Sequence, residues 1–469
     1  MRKTKIICTL GPATESPEML RRMIEAGTNI FRLNMSHASH EWVRQIVPRI
    51  RAIAIELDTM VAVLLDTQGP AIRTGDLATK LKLKPGDIFE FTVRGEKSVE
   101  EFSVDVNYDG LIDDIGVGDT VLVDNGVIHL KVLTKEHNRI RCQVLTEGNL
   151  GSRRHINLPG VKVNLPPLTE KDIADVNLGA ELGVDMVALS FCREESDVDA
   201  LRKLLHENSS KARVIVKIED QCAIKNIRGI IAKTDGVMIA RGDLGIECPM
   251  EELPIIQRKI IKHCLKLGRP VIVATHMLES MIENPVPTRA EITDVANAVF
   301  EQADAIMLSG ESTVGKYPVE CVKVLNRVAA RIELSGGAGY ASDVDFYDYD
   351  DRQKTVRSAV VLANSLTNAK IVVFTRRGIM ANYVSNLRPT NAPIFAFAPT
   401  IDVCRQLMLS WGTYPQLLPF DTNPNRTIGA ATKLLVERGL AQSGDHLVII
   451  SDLISGEKRF DSIQLRVVD

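Results

Sequence analysis

The chain carries no large excess of charge of either sign. Its 57 Lys and Arg stand against 60 Asp and Glu, a formal net charge of -3 over 469 residues. No global basic field marks it for nucleic acid or an anionic membrane. Long apolar runs are missing too: none approaches the roughly 20 residues needed to span a bilayer. The N-terminus passes from Met1-Arg-Lys-Thr-Lys5 straight into the strand-like Ile6-Ile7-Cys8, with no signal-peptide core, so the expected compartment is the cytoplasm. The eight cysteines never come closer than 16 residues, which excludes a zinc ribbon and a C-x-x-C redox site. Most sit in apolar runs, where a free thiol behaves as a small hydrophobe. What remains is ordinary for a globular protein: 45% hydrophobic and 25% charged residues, long enough for two to four domains of roughly 150 residues each.

The strongest signal present is a recurring strand-then-helix pattern. Short Val- and Ile-rich runs occur at 5–10, 29–36, 61–67, 185–191, 213–219, 236–243, 270–276 and 304–309. None alternates cleanly, as expected of parallel strands buried on both faces. Helical patterns lie between them. The first opens on Ser16-Pro17, a cap followed by a first-turn proline, and stops at Gly27. Eight such units predict an α/β fold built on a TIM (β/α)8 barrel.

One interval is too long for a βα connection. Residues 70–167 hold alternating β-rich stretches broken by Pro85-Gly86, Gly118-Asp119 and Asn125-Gly126, which predicts a small inserted β-barrel domain. Without it, the first 335 residues come close to the roughly 250 of a typical barrel. Beyond Ser335, Gly336-Gly-Ala-Gly339 and the acidic 343–351 stretch suggest a linker. Alternating helices and strands then predict a C-terminal open α/β sheet domain. The expected division is therefore 1–69 and 168–340 for the barrel, 70–167 for the insert and 345–469 for the last domain.

Barrel chemistry sits at the C-terminal ends of the strands. Those ends read Arg32-Leu-Asn34-Met-Ser36-His37, Asp66-Thr67 with Arg73 soon after, Lys217-Ile-Glu219, Arg241-Gly242-Asp243, Thr275-His276 and Ser309-Gly-Glu311. Lys217 and Glu219 are two apart and project to one side of their strand. Buried there, they are costly unless paired with each other or with a ligand. Glu219 and Asp243 on adjacent strands suit Mg²⁺ or Mn²⁺, which keep waters and share ligands with a substrate. Arg32 and Arg73 add fixed positive charge for an anion. Each group alone also reads as a structural ion pair or a loop cap; their convergence on one face favours a metal-dependent site for an anionic substrate. Site logic stops there, because barrel lyases and aldolases use the same parts.

At these motifs the chain resembles the pyruvate kinase family. Lys3-Thr-Lys-Ile-Ile-Cys-Thr-Leu-Gly-Pro12, Leu65-Asp-Thr-Gln-Gly-Pro70, Val216-Lys-Ile-Glu219, Ala240-Arg-Gly-Asp-Leu-Gly245, Ala274-Thr-His-Met-Leu278, Pro287-Thr-Arg-Ala-Glu291 and Met307-Leu-Ser-Gly-Glu311 carry the match, with Asn157-Leu-Pro-Gly160 in the insert. The resemblance spans nearly the whole chain. It implies phosphoryl transfer from phosphoenolpyruvate to ADP, giving pyruvate and ATP. It further implies that Glu219 and Asp243 hold Mg²⁺ or Mn²⁺, and that Lys217 offsets charge on the transferred phosphoryl group. Arg32 would bind the substrate phosphate. The amides of Gly242 and Asp243, with Thr275, would hold its carboxylate, Thr275 also lying on the proton route to the enolate. Asn34, His37, Arg73 and Arg154 would contact nucleotide, and Asn34, Ser36, Asp66 and Thr67 would hold K⁺. The insert is expected to act as a lid hinged near Gly69-Pro70 and Leu165-Pro166-Pro167. Homotetramers are usual in the family, and its C-terminal domain often takes an anionic effector.

The departures are specific. The family's usual Lys-Gly-Pro-Glu is Gln68-Gly-Pro-Ala71 here, which leaves K⁺ dependence open. His276 replaces a common Gln, Val314 a common Lys, and Arg154 a common Lys. In the last domain Thr375-Arg-Arg-Gly-Ile-Met-Ala381 places Met380 where a phosphate-binding Ser is usual, and 455–461 replaces a Gly/Thr-rich effector loop. The expectation is that activation by fructose 1,6-bisphosphate is absent or that another effector is used, with Arg376 and Arg377 still able to attract an anion. A barrel lyase or aldolase on a 2-oxo acid and a non-catalytic metabolite sensor are the competing expectations.

Overall fold

The computed structural model describes residues 1–339, 350–455 and 458–469. The expected boundary at 345 and most of the acidic 343–351 stretch lie outside the described residues. So do residues 456 and 457 of the 455–461 loop.

Eight parallel strands close into a barrel: Lys5–Thr9, Ile30–Asn34, Ala62–Asp66, Met186–Leu189, Arg213–Ile218, Gly236–Ala240, Val271–Ala274 and Ala305–Leu308. The apolar runs lack alternation because both faces are covered. Ile7, Ile30, Leu64, Met186, Ile215, Met238, Ile272 and Met307 point inward and fill the barrel. Their neighbours Ile6, Phe31, Leu65, Val187, Val216, Ile239, Val273 and Ile306 pack outward against the helices. Met408 and Leu409, from the C-terminal part of the chain, join the inward cluster. The first helix, Pro17–Ala26, starts where Ser16 accepts from the Met19 amide and ends at Gly27, whose φ of 119° only glycine adopts freely.

Each strand is shorter than its apolar run, and at one of them this changes the setting of the site. The 236–243 run leaves the sheet after Ala240, and Arg241–Glu247 forms a short helix. Gly242 and Asp243 therefore stand on a helical turn rather than on a strand end.

Between the third and fourth barrel strands lies a six-stranded sheet in the order Ile156–Asn157, Thr120–Val123, Ile128–Glu136, Arg139–Val144, Ile88–Thr92 and Phe102–Asp105. A second pair joins Leu81–Leu83 to Gly148–Leu150. Phe89, Phe91, Leu130 and Ile140 form a core separate from that of the barrel. The connection into this insert is pinned by Asp172, which completes the capping box of Thr169 at the start of the helix Glu170–Glu181 and accepts from the Gly69 amide at 3.0 Å.

The C-terminal sheet has five strands in the order Thr413–Leu417, Ile394–Ala398, Ala369–Phe374, His446–Ser455 and Lys458–Val467; the last runs antiparallel. Helices cover both faces. Val356 and Val384 pack beside Ile371 and Val448, while Ile428 and Leu435 pack beside Val372 and Ile449. This is the expected doubly wound arrangement. The strand Thr413–Leu417 escapes sequence reading because Pro415 interrupts it; it is tolerated at a sheet edge.

Candidate active site

Three barrel strands bring opposite charges together in a nearly dry cluster. Arg32 Nε donates to Asp66 Oδ2 at 2.6 Å, and its Nη1 reaches Thr9 Oγ1 at 3.0 Å. Lys217 Nζ lies 2.8 Å from Glu219 Oε1, 3.3 Å from Asp66 Oδ1 and 2.8 Å from Ser190 Oγ. Asp66 and Glu219 are 0% and 2% exposed. Such charges are tolerated only because each is paired and hydrogen-bonded.

The titration behaviour follows from that packing. Burial alone would drive the Lys217 ammonium toward neutrality, but Asp66 and Glu219 outweigh it and hold the proton more firmly than usual. Burial likewise opposes ionisation of Asp66, and the cations of Arg32 and Lys217 overcome it, so Asp66 stays charged. Glu219 differs. Burial pushes its carboxyl up to about 7; Lys217 pulls it down, and the charge of Asp243 adds to the upward push. Two carboxylates thus face a common space in which one resists ionisation until positive charge arrives.

Arg32, Asn34, Ser36, Arg73, Arg154, Lys217, Glu219 and Asp243 line one cavity of about 290 Å³. Arg32 and Asn34 also border a neighbouring groove of about 650 Å³ with His37, Trp42 and Val314. Asp66 and Thr67 lie beneath, fully buried; the Thr67 hydroxyl donates to Ala188 O, and its carbonyl accepts from Ser190 Oγ. Asn34 Oδ1 accepts from the Ser36 amide at 3.2 Å. Thr275 and His276 follow the strand end with φ of 68° and 55°. That turn lets Thr275 Oγ1 accept from the Gly242 amide at 2.8 Å, so two of the three expected carboxylate contacts are bonded to each other. Gln68 and Ala71 line the cavity and Val314 is largely exposed, so these departures border the open space rather than the charge cluster.

Several contributors carry little sequence signal. Thr9 ends the first strand and Ser190 follows the fourth; they hold Arg32 and Lys217 and look like ordinary strand residues. Phe191 serves through its backbone: at φ 52° its amide donates to Glu219 Oε2 at 2.6 Å. From the insert come Asp124, paired with Arg154 at 3.3 Å, and His155, whose ring lies 5.8 Å from that of Phe191. Burial lowers the His155 pKa, leaving it neutral beside the cluster. Spacing does not disclose them, since nothing in the insert's local pattern says which turn faces the barrel.

Among the described residues, no group of three or more His, Cys, Asp or Glu is placed to hold a metal. Two carboxylates with only oxygen donors nevertheless fit a hard cation that completes its shell with water and substrate oxygens. The fold and this mouth define a barrel enzyme equipped for an anionic substrate. The model of the pyruvate kinase barrel domain matches residues 1–322, and that of the pyruvate kinase alpha/beta domain matches residues 353–465. The chain belongs to the pyruvate kinase family, whose reaction moves the phosphoryl group of phosphoenolpyruvate to ADP and whose members use Mg²⁺ and K⁺. It is 41% identical over 474 residues to plastidial pyruvate kinase 3, chloroplastic, of Arabidopsis thaliana, covering 100% of this chain and 82% of the relative. With pyruvate kinase of Staphylococcus aureus the identity is 40%, covering 97% and 79%. A crystal structure of a pyruvate kinase from Cryptosporidium parvum superposes with a TM-score of 0.94 at 33% identity, over 100% of this chain and 96% of that one. No described helix is long and apolar enough to cross a membrane.

Proposed function

We propose that this chain catalyses phosphoryl transfer from phosphoenolpyruvate to ADP at the cavity lined by Arg32, Lys217, Glu219 and Asp243. The observation that carries the proposal is the Lys217 cluster: a charged ammonium paired with Glu219, beside a second carboxylate, Asp243, on the same cavity. Glu219 and Asp243 would hold Mg²⁺ or Mn²⁺, which, when bound, polarises phosphoryl and enolate oxygens as a Lewis acid. Arg32, held by Asp66 and Thr9, presents its remaining guanidinium edge to the substrate phosphate. Lys217 offsets the charge spread over the three equatorial oxygens as the bond to the enol oxygen breaks and a bond to an ADP oxygen forms. Gly242, Asp243 and Thr275 take the substrate carboxylate once the Thr275–Gly242 bond yields, and Thr275 relays a proton through water to the enolate carbon. Arg73 and Arg154 reach the nucleotide phosphates from the insert, with Asn34 and His37 on the groove side.

The domain division 1–69 with 168–340, 70–167 and 345–469 belongs to the same proposal, with the insert closing over the mouth to exclude water. Asn34, Ser36, Asp66 and Thr67 form the proposed K⁺ site. The unit in solution is proposed to be a homotetramer and its compartment the cytoplasm. Met380 is buried in the C-terminal core, so its helix start offers no hydroxyl to a sugar phosphate; Arg376 and Arg377 remain for another anionic effector.

A coupled assay of pyruvate formation with Mg²⁺, with and without ADP and with and without K⁺, tests the proposal. ADP-dependent turnover is the expected result. Metal-dependent pyruvate release from a longer oxo acid without ADP would establish a lyase instead, and ligand binding without turnover would establish a sensor.

A further inference from the structure

The helix that carries Gly242 and Asp243 is also the place where the insert grips the barrel. Glu247 ends that helix one turn beyond Asp243 and is 7% exposed. Its Oε1 accepts from Asn157 Nδ2 at 3.0 Å, across 90 residues of chain. Asn157, 5% exposed, belongs to the insert strand Ile156–Asn157, which pairs with Thr120–Val123. On the barrel side, Gln221, two residues beyond Glu219, donates its Nε2 to the Glu247 carbonyl at 2.6 Å and fixes the helix end. A second contact lies next to the first. The turn at Gly126 rests on Ile246, where an added Cβ would sit 3.2 Å from the Ile246 Cγ2.

The same insert strand feeds the site. His155, two residues before Asn157, lies against Phe191, the residue whose amide holds Glu219. Arg154 precedes it, and Arg73 pairs with His155 in an isolated antiparallel bridge. A carboxylate this enclosed is costly unless its bonds repay the lost water. Burial, with Asp220 and Asp243 nearby, pushes Glu247 up to about 7. With the insert lifted away, Glu247 would return to solvent, so its bonds belong to the closed arrangement.

We propose that Glu247 is a positioning residue: it latches the closed insert, through Asn157, to the helix that holds Asp243, and so sets Arg73 and Arg154 over Lys217 and Glu219. The proposal rests on the phosphoryl-transfer assignment of the site. It assigns Glu247 no contact with substrate.

The test uses the full chain and the variants Glu247→Ala, Glu247→Gln, Asn157→Ala and the Glu247→Ala/Asn157→Ala pair. Steady-state kinetics are read beside amide hydrogen exchange of segments 69–72 and 155–161 in the absence of substrates. Glu247→Ala is expected to raise KM for ADP about tenfold, to change kcat much less, and to speed exchange in those two segments by a similar factor while barrel strands keep their protection. Glu247→Gln, which still accepts a bond from Asn157, should recover most of both effects. The double variant should be no worse than Glu247→Ala alone. Unchanged exchange in Glu247→Ala would overturn the latch, as would additive losses in the double variant or loss of protection throughout the barrel. Exchange reports on the latch whatever the reaction, so absence of wild-type turnover would refute the phosphoryl-transfer assignment separately.

Discussion

The divalent cation should bind more weakly in acid, over a pH window set by Glu219 and not by an ordinary carboxylate. Glu219 is 2% exposed, faces Asp243, and has its carboxyl raised from a usual value of 4.5 to about 7. A carboxyl raised on folding favours the protonated native state. That contribution to stability is complete below about 4.5 and is lost as pH rises through about 7. A metal that binds only the carboxylate runs the other way, gaining affinity over the same window as the proton leaves. Roughly nine-tenths of Glu219 is ionised at about pH 8 and about one-tenth at about pH 6, so affinity should fall roughly tenfold between them. An unshifted glutamate would give almost no change over that range. The assay is Mn²⁺ binding, followed by electron paramagnetic resonance or calorimetry without substrates, at several pH values and constant ionic strength. Glu219→Gln should abolish the steep part of the profile along with most of the binding. A flat profile between about pH 6 and 8 in the wild type, with one Mn²⁺ bound, would refute the reasoning.

Further outcomes can be checked independently. Asp66→Asn leaves Arg32 and Lys217 facing each other without the buried carboxylate between them, a loss of about 3 kcal/mol; it should appear as a lowered thermal midpoint and a reduced kcat/KM for phosphoenolpyruvate. Arg73→Ala removes an exposed cation of the insert and should raise KM for ADP several-fold while that for phosphoenolpyruvate moves little, as steady-state kinetics will read. Gly378 sits at φ 81°, and an added Cβ would lie 2.5 Å from Arg213 Nη2; Gly378→Ala should destabilise by about 1–2 kcal/mol, seen as a lower unfolding midpoint. Titration with fructose 1,6-bisphosphate should leave the velocity curve for phosphoenolpyruvate unmoved, because Met380 fills the core where a hydroxyl would be needed; strong activation would contradict this.

Most of the barrel was legible because its strands are apolar on both faces, so polar residues at their ends stand out. Arg32, Asp66, Lys217, Glu219 and Asp243 were visible for that reason, and the structure gathers them at one mouth. Strand limits were less legible: the 236–243 run looks continuous, yet Arg241–Glu247 turns helical. Thr9 and Ser190 are residue types common in any strand, and Phe191 acts through an amide that has no side-chain signature. Pro415 hid an edge strand. Glu247 lies two residues past the Ala240–Gly245 motif, and its partner Asn157 is 90 residues away, so only the folded chain joins them.

The charge cluster around Lys217 is tested most directly by the rate of pyruvate formation from phosphoenolpyruvate and ADP in the wild type and in Lys217→Ala. The variant keeps the Arg32–Asp66 pair and the Phe191 bond to Glu219, so it should fold. Its kcat should fall by about 10²–10³, the usual loss when one preorganised donor to developing charge is removed. Full turnover by a folded Lys217→Ala protein would contradict the account.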